Sequence, residues 1–201
     1  MLTNKNNYLK LNQFMKLSVL LSALLFIGFS NSIDAQKKVA GVDFPAVMKV
    51  NKKVVTFNGG GLREKYGFMD LYVGGLYINK SSSDADKIIM ADENMGIRIV
   101  IVSGLVTRER FIEALEDGFM NTTAGKSSPS DVDKFKKFLS DPFIEGDEIV
   151  LNYYKGEAVH LYKNKQERGT FDGLEFKQAL FGIWLGGNPA DDSLKEEMLG
   201  L

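Results

Sequence analysis

Cysteine is absent from the 201 residues, and histidine occurs once, as His160. Without cysteine there can be no disulfide, thiolate nucleophile, iron–sulfur cluster or Cys-ligated zinc. With a single imidazole, any site built on several histidines is excluded, and a Ser-His-Asp mechanism would have to use that one ring. Charge of one sign is also missing: 25 Lys and Arg stand against 26 Asp and Glu. No basic cluster lies outside the N-terminus, so no nucleic-acid partner is expected. Proline-rich linkers, low-complexity tracts and repeats of fixed period are absent too, which points to one domain. Nothing in the residues calls for a metal or a cofactor.

What is present begins with a three-part N-terminus. Lys5, Lys10 and Lys16 supply positive charge with no acid before Asp34, and an apolar run of 13 residues follows from Leu17 to Phe29. A membrane-spanning helix needs about 20 apolar residues, whereas this length suits the core of a secretory signal. Ala35 is a small residue suited to the cleavage position, so the sequence predicts a signal peptide over 1–35. The mature domain then spans 36–201 in the periplasm or outside the cell, with no integral membrane span after cleavage.

In the mature chain, β signals come first. They run over Val54–Phe57, Phe68–Ile78 and Ile97–Val102, and a hairpin of Glu148–Tyr154 with Ala158–Tyr162 turns around Lys155–Glu157. Asn58-Gly-Gly-Gly61 reads as a turn or bulge, best as a flexible hairpin end. Helices are interspersed. Thr107 can cap one whose Phe111, Leu115 and Phe119 form an apolar stripe. Ser130 with Asp133 predicts the start of a second, with Val132, Phe135, Phe138 and Leu139 facing inward. Asp172 with Glu175 resembles a capping box before Leu174–Leu185, which ends at Gly186-Gly187. Asp84/Asp86 and Asp191/Asp192 read as helix starts, with Asp192 capping the last helix. Strands first, with helices clustered in the middle and at the end, predict an α+β fold with helices layered on a mostly antiparallel sheet.

Few residues suggest chemistry. Gly59-Gly-Gly-Leu-Arg63 lacks the Gly-Lys-Ser/Thr of a phosphate loop. His160, between Val159 and Leu161, reads as a strand residue with a local hydrogen bond. Asp70 could sit at an edge or partner a cation. Arg63 stands out because it follows the glycines and precedes an apolar run. Tyr72 lies nine residues on, on the strand face of Gly74 and Leu76. Two readings follow. Arg63 could pair with Glu64, Asp70 or another acid while Tyr72 fills the core. Alternatively, fork donors and a phenol could converge in an apolar pocket and bind a carboxylate.

Four segments in this order resemble the chalcone isomerase-like superfamily, in its bacterial secreted branch. They are Gly59–Arg63 with Leu71–Ile78, Thr107–Phe119, Phe176–Gly186, and Asn188-Pro with Leu194–Leu199. The resemblance spans about Val39 to Leu201 and implies an open-faced β-sandwich, a large antiparallel sheet covered by a layer of helices. It implies one of three functions: cyclising chalcones as an intramolecular lyase, binding a fatty acid in the same cleft, or no catalysis at all. In the last case a chain with a collapsed cleft would be expected to act as an envelope protein through a protein partner. Arg63 matches the arginine that stabilises negative charge in the enzymes. The enzymes' strand threonine falls at about Tyr72, their tyrosine near Gly125 and their late-helix Ser/Thr near Ile183, so three hydroxyl positions depart from the catalytic pattern. The fatty-acid-binding members resemble this sequence in pairing the arginine with a tyrosine on the next strand. The resemblance therefore implies a non-catalytic protein that clamps a fatty acid or similar apolar carboxylate between Arg63 and Tyr72.

Overall fold

A computed structural model describes residues 36–201; the expected signal peptide lies outside the described residues. Strands β1 (Gln36–Val39) and β2 (Val42–Pro45) form a separate hairpin. The main sheet comprises β3 (Val47–Val50), β4 (Lys53–Lys65), β5 (Met69–Ile78), β6 (Met95–Ile101), β7 (Glu148–Tyr153), β8 (Ala158–Lys163) and β9 (Gln166–Asp172). Its seven strands are antiparallel and lie in chain order, each beside the next. Helix α1 (Ala85–Met90) joins β5 to β6, and α2 (Arg108–Asn121) and α3 (Pro129–Phe138) join β6 to β7. Helices α4 (Leu174–Leu185) and α5 (Asp192–Met198) follow the sheet. The architecture is the α+β one expected from the strand and helix order.

Strand alternation divides the core in two. On one face Tyr72, Leu76, Ile97, Ile99, Leu151 and Leu161 pack against the helices, including Phe111, Leu115 and Phe119 of α2. Helix α4 is buried from Phe176 through Leu185, which explains why its sequence is apolar nearly all round. On the other face Val50, Val55, Val73, Tyr77 and Val100 pack with Phe44 of the N-terminal hairpin.

Two buried lysines are resolved by their partners. Lys177 of α4 is 0 % exposed, and its Nζ donates to the carbonyls of Ile88, Ile89 and Ala91, each at 2.8 Å. Burial pushes its ammonium down to about 7, against the pull of Asp92 and Glu93. Three acceptors match the three donors of the protonated amine and close the C-terminal end of α1. Lys163 is paired with Asp147 at 3.1 Å, and its Nζ also donates to the Pro142 carbonyl at 2.6 Å. Burial alone would raise the Asp147 carboxyl, but Asn164 Nδ2, the Ile144 N–H and Lys163 Nζ hold it below the usual carboxylate range.

Several local expectations need correction. Gly59–Gly61 are not a hairpin end: they lie within β4, with a register shift between Phe57 and Gly59. The turn comes later, at Tyr66-Gly67-Phe68. A Cβ on Gly59 would collide with the Glu197 carbonyl, and Met198 O would lie 2.9 Å away, so the glycine lets the end of α5 rest directly on the strand. Asn58 Nδ2 adds a hydrogen bond to Met198 O at 2.9 Å. Helix α3 is capped by Ser128 in a capping box with Asp131, not by Ser130 with Asp133, because Pro129 fills the first helical turn. Asp172 does not cap α4. It belongs to β9, paired with Ala158, and Gly173 at φ 92° makes the transition. Asp84 caps α1, whereas Asp191, one residue before the expected Asp192, caps α5.

Candidate functional site

A cleft of about 590 Å³ opens between the outer end of the β4–β5 hairpin, helix α2 and the Asn188–Ala190 segment. Arg63 and Tyr72 reach it as direct register partners on β4 and β5. Antiparallel pairing places opposed residues on the same face of the sheet, so the nine-residue spacing becomes a side-by-side pair. The Arg63 Nη1 donates to Tyr72 Oη at 3.4 Å, and the guanidinium carbon lies 5.5 Å from the ring centre.

A third residue completes the arrangement. Trp184 Nε1, on α4, donates to the same Tyr72 Oη at 2.8 Å. Arg and Trp side chains can only donate, so the phenol oxygen acts as acceptor to both. Its own hydrogen has no acceptor among the described residues. Tyr72 and Trp184 are 3 % exposed, and Phe111 meets the Tyr72 ring edge-on with centroids 6.5 Å apart. Arg63, Tyr72, Phe111 and Ala114 also border a narrow recess of about 10 Å³, backed by Leu115, Ile183, Trp184 and Ala190.

The cleft walls are mixed. Met69, Leu71, Leu105, Val106 and Pro189 contribute apolar surface, while Lys65, Arg110, Glu113 and Asp117 bring charge. Arg110 is turned to its own loop, donating to Leu105 O at 2.9 Å. The ion pairs among the described residues leave Arg63 without a carboxylate. The expected pairing with Glu64 or Asp70 is therefore not seen; those two acids face each other in the strand register. An unpaired guanidinium beside a phenol with a free hydrogen, on a wall that is partly apolar, has the donors to take a planar anion.

The remaining candidates lie elsewhere. His160 sits in β8 with Nδ1 2.7 Å from Glu167 Oε1, and its ring stacks on Tyr154 at 3.8 Å. That is the local role expected of it. Gly125 has φ 61° and packs against α4 at Glu175 and Ala179, outside the cleft. Ile183 reaches the recess with no hydroxyl. Among the described residues no cluster of three or more His, Asp or Glu could hold a metal ion, and no helix is long and apolar enough to cross a membrane. Sequence reasoning missed Trp184 as part of the site. Its only signal was being the sole tryptophan, on a helix too uniformly apolar to reveal which side faces the sheet.

No curated protein matches this sequence. Among solved structures the fold is similar to the Arabidopsis thaliana fatty-acid binding protein AtFAP1, with a TM-score of 0.62 and 20 % identity, over 79 % of this chain and 92 % of that one. The family model described as chalcone isomerase-like matches residues 36–200, essentially all of the described structure. The sheet in chain order, its helical cover and that match agree: the chain belongs to the chalcone isomerase-like family.

Proposed function

We propose that this protein binds a fatty acid or similar apolar carboxylate without turning it over, and does so in the periplasm or outside the cell. The carboxylate is taken by Arg63 and by the hydroxyl hydrogen of Tyr72, and the acyl or aryl body lies along the apolar wall of the cleft. The observation that carries this reading is the convergence of donors on Tyr72 Oη, which leaves its hydrogen for a ligand. The unpaired Arg63 supplies the charge. A cleft of about 590 Å³ is within the range of roughly 300–1,000 Å³ usual for small-molecule sites. The similarity of the fold to an Arabidopsis fatty-acid binding protein supports the ligand class. Gly125 and Ile183 bring no hydroxyl to the cleft, which supports binding over cyclisation. Export rests on the basic start and short apolar run of residues 1–35.

Native mass spectrometry of residues 36–201 tests the reading. The expected result is a complex with a long-chain fatty acid that is lost in Arg63→Ala. A chain that stays unliganded after incubation with fatty acids would overturn it.

A further inference from the structure

The tip of the β4–β5 hairpin carries two large aromatic side chains that the core does not cover. Tyr66 lies at φ 60° and Gly67 at φ 72°. That left-handed region is costly for a bulky residue and is normally filled by Gly, Asn or Asp. Tyr66 is 73 % exposed and Phe68 beside it 75 % exposed, so burial in this fold does not explain either side chain. The left-handed backbone itself is the ordinary form of tight hairpin turns and recurs at Ala40, Lys52 and Lys165. It is the pair of exposed aromatics on this turn that points to contact with something outside the chain. The two rings lie 6.5 Å apart, and Lys65 Nζ stands 5.4 Å from the Tyr66 ring centre. Tyr66 and the part-exposed Leu105 both line the cleft, so the apolar patch runs into its mouth.

We propose that this tip docks into the interface of a phospholipid bilayer, and that the cleft exchanges its ligand with the bilayer from there. The second clause rests on the reading of the cleft as a site for an acyl carboxylate. Two features select a bilayer over a protein. A stable protein interface takes about 800 Å² from each partner, far more than a three-residue turn presents. A bilayer needs no shape complement, and aromatic rings flanked by an amine are groups that settle at headgroup level. The location is also the useful one, because a ligand leaving the bilayer at Tyr66 enters the cleft whose floor holds Arg63.

Flotation of residues 36–201, a compact unit with its own core, tests the surface independently of the ligand. Phosphatidylcholine–phosphatidylglycerol vesicles free of fatty acid are the probe. The wild type is expected to float with the vesicles. Phe68→Ser should lower the partition coefficient roughly tenfold, while fatty-acid binding, to which Phe68 does not contribute, stays unchanged. Tyr66→Asn suits the left-handed turn, so its loss of flotation would not reflect misfolding. Arg63→Ala should still float while failing to bind ligand. Absence of wild-type flotation, or equal flotation of all variants, overturns the proposal. So does a wild-type dimer in sedimentation that Phe68→Ser dissolves without any vesicle binding. Flotation without fatty-acid binding would instead leave the docking surface standing and remove the ligand reading.

Discussion

Replacing Tyr72 with phenylalanine removes one oxygen while keeping the ring that packs beneath Phe111. Two consequences separate cleanly. Trp184 Nε1–H loses the acceptor it reaches at 2.8 Å, in surroundings where Trp184 is 3 % exposed. An orphaned buried donor costs about 1–3 kcal/mol. At about 2–4 °C per kcal/mol for a domain of this size, Tm should fall by several degrees. The ligand in turn loses a hydrogen bond to a charged group, worth about 1.5–3 kcal/mol, or roughly 10- to 100-fold in Kd. The sequence contains no tryptophan but Trp184, so tryptophan emission reports the surroundings of this one side chain at the recess. Titration of wild type and Tyr72→Phe with a fatty acid, followed by that emission, gives both affinities on one probe. Thermal unfolding supplies the stability term. A variant with lowered Tm but unchanged affinity would refute the clamp, because the hydroxyl would then serve Trp184 only.

Two further perturbations test the frame that holds the site. Asp147→Asn leaves the Lys163 ammonium, 4 % exposed in its side chain, without a counter-charge; urea unfolding should show a loss of about 3–5 kcal/mol. Because the Asp147 carboxyl is held below its unfolded value, its contribution is present above pH ~4 and lost as the pH falls further. The wild type should therefore weaken over that acid range more steeply than the variant, and parallel profiles would count against the pair. Gly59→Ala forces a Cβ into the backbone at the end of α5. It should cost about 1–3 kcal/mol as an overpacked contact, and an unchanged midpoint in the same assay would show that α5 does not bear on β4.

The periodic elements were legible because their signal is local. The stripe Phe111, Leu115 and Phe119 is buried as its spacing requires, and the hairpin around Lys155–Glu157 pairs as read. Strand β9 was missed because Gln166-Glu-Arg-Gly-Thr carries little of the apolar alternation that marks a half-buried strand. Cap positions slipped where several Ser or Asp residues compete within three positions, and only the packed register of the helix decides among them. The glycine run carries the bulge its composition suggests, at the register shift between Phe57 and Gly59, but the reason it is not a hairpin end lies outside pattern reading. Its partner, the end of α5, is 140 residues away at the Asn58–Met198 contact, beyond any window of pattern reading. Trp184 is likewise 112 residues from Tyr72. Arg63 and Tyr72 could be singled out from the sequence, since hairpin pairing converts a short spacing into proximity. The absence of an acid beside Arg63 could not, because either reading was consistent with the same residues.

The order of the strands bears on how the molecule reaches this state. Every strand of the main sheet pairs with its neighbour in the chain, so the sheet can zip through successive short loop closures. Seating α5 on β4 at Gly59 is the opposite kind of event, a closure over most of the chain. Loop-closure entropy predicts that such a contact forms late, so Gly59→Ala is expected to speed unfolding while leaving the folding rate nearly unchanged, which stopped-flow kinetics would check. On that expectation the glycine seam in β4 bears on how long the assembled protein lasts more than on how fast it assembles.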